Sequence, residues 1–415
     1  MAHLAIAGGK PLRQTPFPRW PVWDQSEVEA VQAVVKSGRW GAVQGAAVGD
    51  FEAEFAAYQE AAFGIAVVNG TVALKLALTA AGVGVGDEVI VPGYTFVATA
   101  TVALEIGAVP VFADIDPQTY TLDPASAAAC VTPRTRAIIP VHLGGRPADM
   151  DAILELAQRH DLVVIEDAAQ AWGAAWRGRR VGALGHIGGF SFQASKNITA
   201  GEGGIMLTNN PASAEMARSL SNCGRRQGQP WYAHYVLGGN YRLSEFQGAV
   251  LRVQLQRYPH HLQQRQANAA YLEQALSEVA GITTLQQDSR VTANAYHILF
   301  LQYHAEAFGG ASKGRFIAAM QAEGIDGIHG GYSLPVYRQP VLLTENFGLA
   351  TPPLFHGVYP HTPDYQKVAH AVTDRACAEE AVWVRQSMLL GECQDMDDLV
   401  EAICKIQRYS DELQE

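Results

Sequence analysis

The residue best suited to covalent chemistry in this chain is a lysine. Only seven lysines occur, at positions 10, 36, 75, 196, 313, 367 and 405. Six stand in helical or loop contexts that suit a solvated face. Lys196 alone lies between a short predicted strand, Gly189–Phe192, and a glycine-dense turn, in the run Gly189-Phe-Ser191-Phe-Gln-Ala-Ser-Lys196-Asn-Ile-Thr-Ala-Gly201-Glu-Gly-Gly204. A lysine that forms a Schiff base needs tight positioning and a depressed pKa, and such a setting can supply both. A surface loop lysine would carry the same local sequence, so Lys196 by itself leaves two readings open.

Three other stretches offer complementary chemistry. At Val68-Asn69-Gly70-Thr71 a strand ends in a tight glycine turn and a helix begins. Free backbone N–H groups and the helix dipole make such a point an anion site, and Thr71 adds a hydroxyl donor. An ordinary strand–helix turn with a Thr cap reads the same way. At Leu162-Val-Val-Ile-Glu-Asp167-Ala-Ala-Gln170 a β-branched strand ends in two carboxylates, at the edge where α/β sheets collect ligands. A carboxylate there can hold a heterocyclic nitrogen protonated, or simply cap the next helix. Finally, Gly238-Gly-Asn240-Tyr-Arg242-Leu-Ser-Glu245 presents Asn and Arg from a glycine turn, with Ser244 as an alternative helix cap. The glycines of Gly82-Val-Gly-Val-Gly86 do not form a nucleotide loop, because they follow a helix and precede a strand. A phosphate-type turn, a strand-end carboxylate and a Ser-x4-Lys turn, in that order, are what pyridoxal phosphate demands.

These features must be held by an α/β frame. Apolar runs at Phe63–Val68, Glu88–Val91, Val109–Phe112, Ala137–Pro140 and Leu162–Ile165 predict strands, with helices between them such as Asp149–Arg159. That alternation predicts a largely parallel sheet covered on both faces. Residues 26–37 place Val28, Val31, Val34 and Val35 on one stripe after Ser26 as N-cap. A long helical pattern from Leu243 to about Glu278 contains Pro259, which is expected to end or kink it. A mixed region follows, with a Pro/Gly-rich stretch from Gly327 to Pro363. The domain boundary falls near 255–265, giving a large domain over 1–260 and a smaller one over 261–415.

Length and composition set outer limits. At 415 residues and 48% hydrophobic content the chain can bury two cores. A net charge of −11, with basic residues scattered, excludes nucleic acid and anionic membrane as partners. Five cysteines without a C-x-x-C pair argue against a disulfide framework and for a reducing, cytoplasmic setting. No signal peptide is expected at the start, no apolar run is long enough to span a bilayer, and no metal is expected.

The blocks VPGYTFVAT (91–99), PVHLGG…DM (140–150), VIEDAAQAWGA (164–174), SFQASKNITAGEGG (191–204) and GGNYRLSEFQ (238–247) resemble the DegT/DnrJ/EryC1/StrS group of sugar and cyclitol aminotransferases. The likeness runs from GGKPLR at residue 8 to DMDDLVEAICKI near the end. It implies the type I pyridoxal-phosphate transferase (aspartate aminotransferase-like) fold, with a small C-terminal α/β domain. Lys196 resembles the Schiff-base lysine and Asp167 the partner of the pyridine nitrogen. Gln170 would face the ring hydroxyl and Phe96 would stack on the ring, while Gly70, Thr71 and Ser191 would hold the phosphate. Asn240 resembles the residue that reaches the phosphate from a second subunit, which implies a homodimer with shared active sites. His329 lies where members often place a substrate-facing histidine, and Tyr332 and Arg338 are further acceptor-pocket candidates. Within the group the chain looks most like enzymes that aminate keto-inositols, with glutamine, glutamate or alanine as donor. The alternatives are an aminotransferase acting on nucleotide-diphosphate keto-hexoses and a non-catalytic cofactor-binding regulator. Lys196 disfavours the group's dehydratases, in which a histidine replaces the lysine.

Overall fold

The structure, a computed structural model, describes residues 3–344 and 364–413. Residues 345–363 of the Pro/Gly-rich stretch therefore lie outside the described residues. Five strands in the first part follow the apolar runs within a couple of residues: β1 (Phe63–Val67), β2 (Glu88–Pro92), β3 (Val109–Ala113), β4 (Thr135–Ile138) and β5 (Val163–Asp167). A small ribbon, β6 (Ala175–Trp176) and β7 (Arg179–Arg180), leads on to β8 (Ile187–Ser191) and β9 (Gly204–Thr208). The main sheet has the order β1-β9-β8-β5-β4-β2-β3. All its neighbours are parallel except β9, which runs antiparallel between β8 and β1. The other six strands thus share one direction, and their carboxyl ends form a single edge.

Helices cover both faces, as buried parallel strands require. The helices before α9 are α1 (Gln25–Ser37), α2 (Ala47–Tyr58), α3 (Gly70–Ala80), α4 (Ala98–Glu105), α5 (Pro124–Ala129), α6 (Met150–His160), α7 (Pro211–Ser221) and α8 (Glu245–Leu276). On one face α3, α4 and α7 bury Leu74, Leu78, Val102 and Leu220 against Val91 and Ile165. On the other, Phe51, Phe55, Leu251 and Tyr258 of α2 and α8 pack with Phe190 and Phe192, while α6 sets Met150, Ile153 and Leu156 against Ile90 and Val164. Strand alternation therefore turns Ile165 and Asp167 toward the α3–α4 face and Val164 and Glu166 toward the α6 face.

A second core forms around β10 (Ile282–Thr284), β12 (Ile298–Tyr303), β13 (Ile328–His329) and β14 (Ala381–Arg385), ordered β10-β12-β14-β13, while β11 (Val291–Ala293) joins the β6–β7 ribbon. Helix α9 (Lys313–Ala322), short α10 (Pro340–Leu343) and α11 (Ala371–Arg375), and α12 (Cys393–Arg408) complete the region. Phe308, Phe316, Leu399 and Ile403 fill this core together with Leu272 and Leu276 from the end of α8.

Several expectations change in three dimensions. Helix α8 is not ended at Pro259 but runs on to Leu276. A proline inside a helix costs about 3 kcal/mol. Burial of Leu255 and Tyr258 before it, and of Leu262, Leu272 and Leu276 after it, offsets that cost. The cap of α1 is Asp24, in a capping box with Glu27, rather than Ser26. Of its valine stripe only Val34 is buried in this chain, and Val28 and Val35 are exposed. The chain start also crosses the expected boundary: Leu4 and Phe17 belong to the second core. Arg13 pairs with Asp395 and Asp398 of α12.

Candidate active site

The carboxyl edge of the main sheet brings together most of the residues singled out by sequence. At the end of β1, Asn69 caps α3 by accepting the Val72 N–H at 2.9 Å. Sequence reasoning offered Thr71 as that cap; with Asn69 in the role, the Thr71 hydroxyl is spared from it. A Cβ on Gly70 would stand 2.8 Å from Ser191 Cβ, so a side chain there would close the approach. Gly70, Thr71 and Ser191 thus meet where the first turn of α3 leaves backbone N–H groups free, the arrangement that suits an anion.

Asp167 ends β5 on the same edge and is buried. Its Oδ2 accepts from Thr99 Oγ1 at 2.8 Å and its Oδ1 from the Ala169 N–H at 3.2 Å. Thr95 Oγ1 and Thr99 Oγ1 are 2.9 Å apart, so both hydroxyls of this turn form one chain toward the carboxylate. Burial pushes the Asp167 carboxyl above the ordinary range, and the Thr99 bond is the largest influence opposing it. The neighbouring carboxylate is a different matter. Glu166 is fully buried and accepts from the N–H groups of Gly182, Leu184 and Gly185 and from His142 Nε2. His142 Nδ1 in turn accepts the Ala148 N–H, which puts the ring proton on Nε2. Glu166 is therefore occupied in holding two loops, and Asp167 alone faces the site.

Lys196 projects from a turn fixed by its own bonds. The Lys196 N–H donates to the Gln193 carbonyl at 2.8 Å, and Thr199 Oγ1 donates to the Phe192 carbonyl at 3.0 Å. Burial lowers the Lys196 amine to about 8, while the charge of Asp167 acts in the opposite sense. An amine in that range is partly unprotonated near neutrality, the condition for attack on a carbonyl.

Gln170 accepts the Gly144 N–H on Oε1 at 2.6 Å, so its NH2 group faces Tyr332 Oη, 3.5 Å away. Tyr332 stands edge-on to Trp383 and Tyr94, with ring centroids 4.8 and 5.3 Å away. Gly331 has φ +67°, and a Cβ there would lie 2.3 Å from the Trp383 indole nitrogen, so only glycine carries the chain past this wall. Phe96 is 57% exposed, its ring free on the lip between Thr95 and α4.

The remaining candidates make other contacts. Arg338 covers the Tyr337 ring and donates to the Gln366 carbonyl at 2.8 Å. His329 pairs across β13–β14 with Trp383, and its Nε2 is buried without a partner among the described residues. Asn240 is exposed; the Val67–Arg242 bridge and the bond from Val68 N–H to the Tyr241 carbonyl set it level with Asn69 of its own chain. Sequence reasoning passed over Thr95, Thr99, Asn197 and the bond between Glu166 and His142. Thr99 could have been found from its place in the first turn of a helix that follows the carboxyl end of β2.

The chain is similar to known proteins over most of its length. The model of the DegT/DnrJ/EryC1/StrS aminotransferase family matches residues 21–354. L-glutamine:2-deoxy-scyllo-inosose aminotransferase of Streptoalloteichus tenebrarius is 37% identical over 430 residues, covering 99% of each chain. 3-Amino-5-hydroxybenzoate synthase of Amycolatopsis mediterranei is 42% identical over 284 residues, 68% of this chain and 73% of that one. A crystal structure of 3-amino-5-hydroxybenzoic acid synthase superposes with a TM-score of 0.85 at 34% identity, covering 96% of this chain and 99% of the other. With its α/β fold and a family match over most of its length, the chain belongs to the DegT/DnrJ/EryC1/StrS aminotransferase family.

Proposed function

We infer that this enzyme uses pyridoxal 5'-phosphate, held at Lys196, to move an amino group from glutamine, glutamate or alanine onto a keto-cyclitol such as a keto-inositol. The observation that carries the cofactor assignment is the convergence at one sheet edge of an amine at about 8, a buried carboxylate and a glycine-lined helix N-terminus. The fit is chemical as well as spatial. Gly70, Thr71 and Ser191 suit a phosphate, Phe96 offers a ring face, Gln170 turns an amide NH2 toward the site, and Asp167 suits a pyridine nitrogen. The cofactor, when bound, supplies an electron sink for the carbon that loses its proton.

The chain's own residues do the rest. Asp167, fixed by Thr99, keeps a ring nitrogen protonated and so keeps that sink effective. Lys196, once released as a free amine, takes a proton from the donor carbon and returns it to the neighbouring position. Gln170 and Tyr332 form a neutral, hydrogen-bonding wall for a polyhydroxylated ring. The names of the relatives support a carbocyclic acceptor, since scyllo-inosose and 3-amino-5-hydroxybenzoate are both six-membered carbocycles. The former also supports glutamine as donor.

The assembly we favour is a homodimer with shared sites. The segment before Asn240 leaves Trp231, Tyr232, Tyr235 and Leu237 exposed, and α1 leaves Val28 and Val35 exposed, apolar surface that a second copy would cover. We read the two cores as a large and a small domain. Five unpaired cysteines fit a reducing compartment, the cytoplasm.

Two measurements test this reading. Borohydride treatment of the loaded enzyme followed by peptide mapping should place the cofactor on Lys196; a label elsewhere overturns the assignment. Steady-state kinetics should give a higher specificity constant for keto-inositols than for keto-nucleotide-sugars, and the reverse order establishes the nucleotide-sugar alternative.

A further inference from the structure

We propose that His297 is a positioning residue for Lys196, acting through the side chain of Asn197. The inference rests on Lys196 being the cofactor-bearing amine.

Asn197, the residue after Lys196, is 1% exposed. Its Nδ2 donates to the Ala295 carbonyl at 2.9 Å. A carbonyl only accepts, so the orientation of the amide is fixed, and Oδ1 is the atom that faces His297 Nδ1 at 2.9 Å. An amide oxygen only accepts, so Nδ1 carries the imidazole proton. Both bonds are buried, and both join the Lys196 turn to the segment that enters β12, the strand at the centre of the second core. The turn is thereby tied to chain a hundred residues away, at the residue next to the amine.

The protonation state of His297 follows from what surrounds it. Burial, then the charges of Lys196 and Arg265, hold its pKa well below the ordinary range. The Trp172 ring stands edge-on, 5.8 Å away. Behind it on α8, Arg265 is fully buried and bonded to Gln386, and Tyr258 donates to the Trp172 carbonyl. Asp167 on β5 is the anion that acts on Lys196. A charged imidazole would be a third cation between Lys196 and Arg265, whereas the neutral ring donates to Asn197 without adding charge. Loss of this clamp frees the turn and admits water to Lys196, and the amine then moves back toward an ordinary lysine.

The test reads the amine directly. Uptake of pyridoxal 5'-phosphate by the apoprotein is followed by absorbance across pH, with borohydride mapping of the product and thermal midpoints of the same samples. The native protein should show a midpoint of about 8. His297→Leu and Asn197→Ala should raise that midpoint by about one unit, making uptake roughly fivefold slower at pH 8. His297→Gln, whose amide can donate to Asn197 Oδ1, should restore uptake to within about twofold. If His297→Leu does not fold, Asn197→Ala against His297→Gln decides on the same terms. An unchanged uptake midpoint with a lowered thermal midpoint, or no restoration by glutamine, overturns the proposal. A native protein labelled away from Lys196 overturns the cofactor assignment instead, so the two failures are distinguishable.

Discussion

Thr99 Oγ1 sits 2.8 Å from Asp167 Oδ2, joining the first turn of α4 to the carboxyl end of β5. This bond is the largest influence holding down the pKa of a carboxyl that burial raises. The consequence has a definite sign. Thr99→Val removes a stabiliser of the ionised form, so the Asp167 pKa rises further and the acidic limb of the activity profile moves to higher pH. A hydrogen bond to a charged group contributes about 1.5–3 kcal/mol, which corresponds to a limb displaced by roughly one to two pH units. The pH profile of the half-reaction with glutamine checks this, and an unmoved limb would show that Thr99 only caps the turn.

Glu166 makes a contrasting prediction, in stability rather than chemistry. Its Oε2 accepts from Gly182 and His142 and its Oε1 from Leu184 and Gly185, so both oxygens face donors. In Glu166→Gln either orientation of the amide sets an NH2 group against N–H donors. Leaving such an N–H unpaired in the interior costs about 1–3 kcal/mol for each group. The denaturation midpoint of the glutamine variant should fall clearly, and a midpoint equal to the native one would contradict the assigned bonds.

The difference between these two carboxylates shows what sequence could and could not reveal. Strand-end position marked both Glu166 and Asp167, because alternating burial is a local property. Their division of labour depends on Thr99, 68 residues before Asp167, and on a loop 16 to 19 residues after Glu166. The turn that carries Lys196 was marked by its glycines, but the bonds of Asn197 were not, since its partners are Ala295 and His297. The same distinction governs the helices. Pro259 is a local signal to stop, overridden by burial of α8 along its length. The stripe of α1 keeps its helical period, yet only Val34 of it is buried, while Val28 and Val35 are exposed.

Tyr332 offers a way to separate donor from acceptor. Its hydroxyl accepts from Gln170 at the weak limit of 3.5 Å, so its own hydrogen remains available to a ligand. If that ligand is the acceptor polyol, Tyr332→Phe should raise KM for the keto-cyclitol by about tenfold, the loss of one hydrogen bond of about 1.4 kcal/mol. The half-reaction with glutamine should change little. Equal loss in both half-reactions would place Tyr332 at the cofactor rather than the acceptor.

Asn240 decides whether two chains build each site. It is exposed in the single chain, on the turn that follows the apolar segment Trp231–Leu237, and it lies level with Asn69 at the start of α3. That place allows two geometries: service to its own anion turn, or a reach across a two-fold axis to the partner's. Lys196→Ala and Asn240→Ala homodimers should each be nearly inactive. In a mixed dimer with shared sites, the lysine of one chain meets the asparagine of the other in one intact site. Random reassociation of equal amounts makes half the dimers mixed, so activity should recover to roughly a quarter of the native value. Size-exclusion and mass measurements on differently tagged chains show whether mixed dimers form. Mixed dimers without recovered activity mean that Asn240 serves its own chain's phosphate turn.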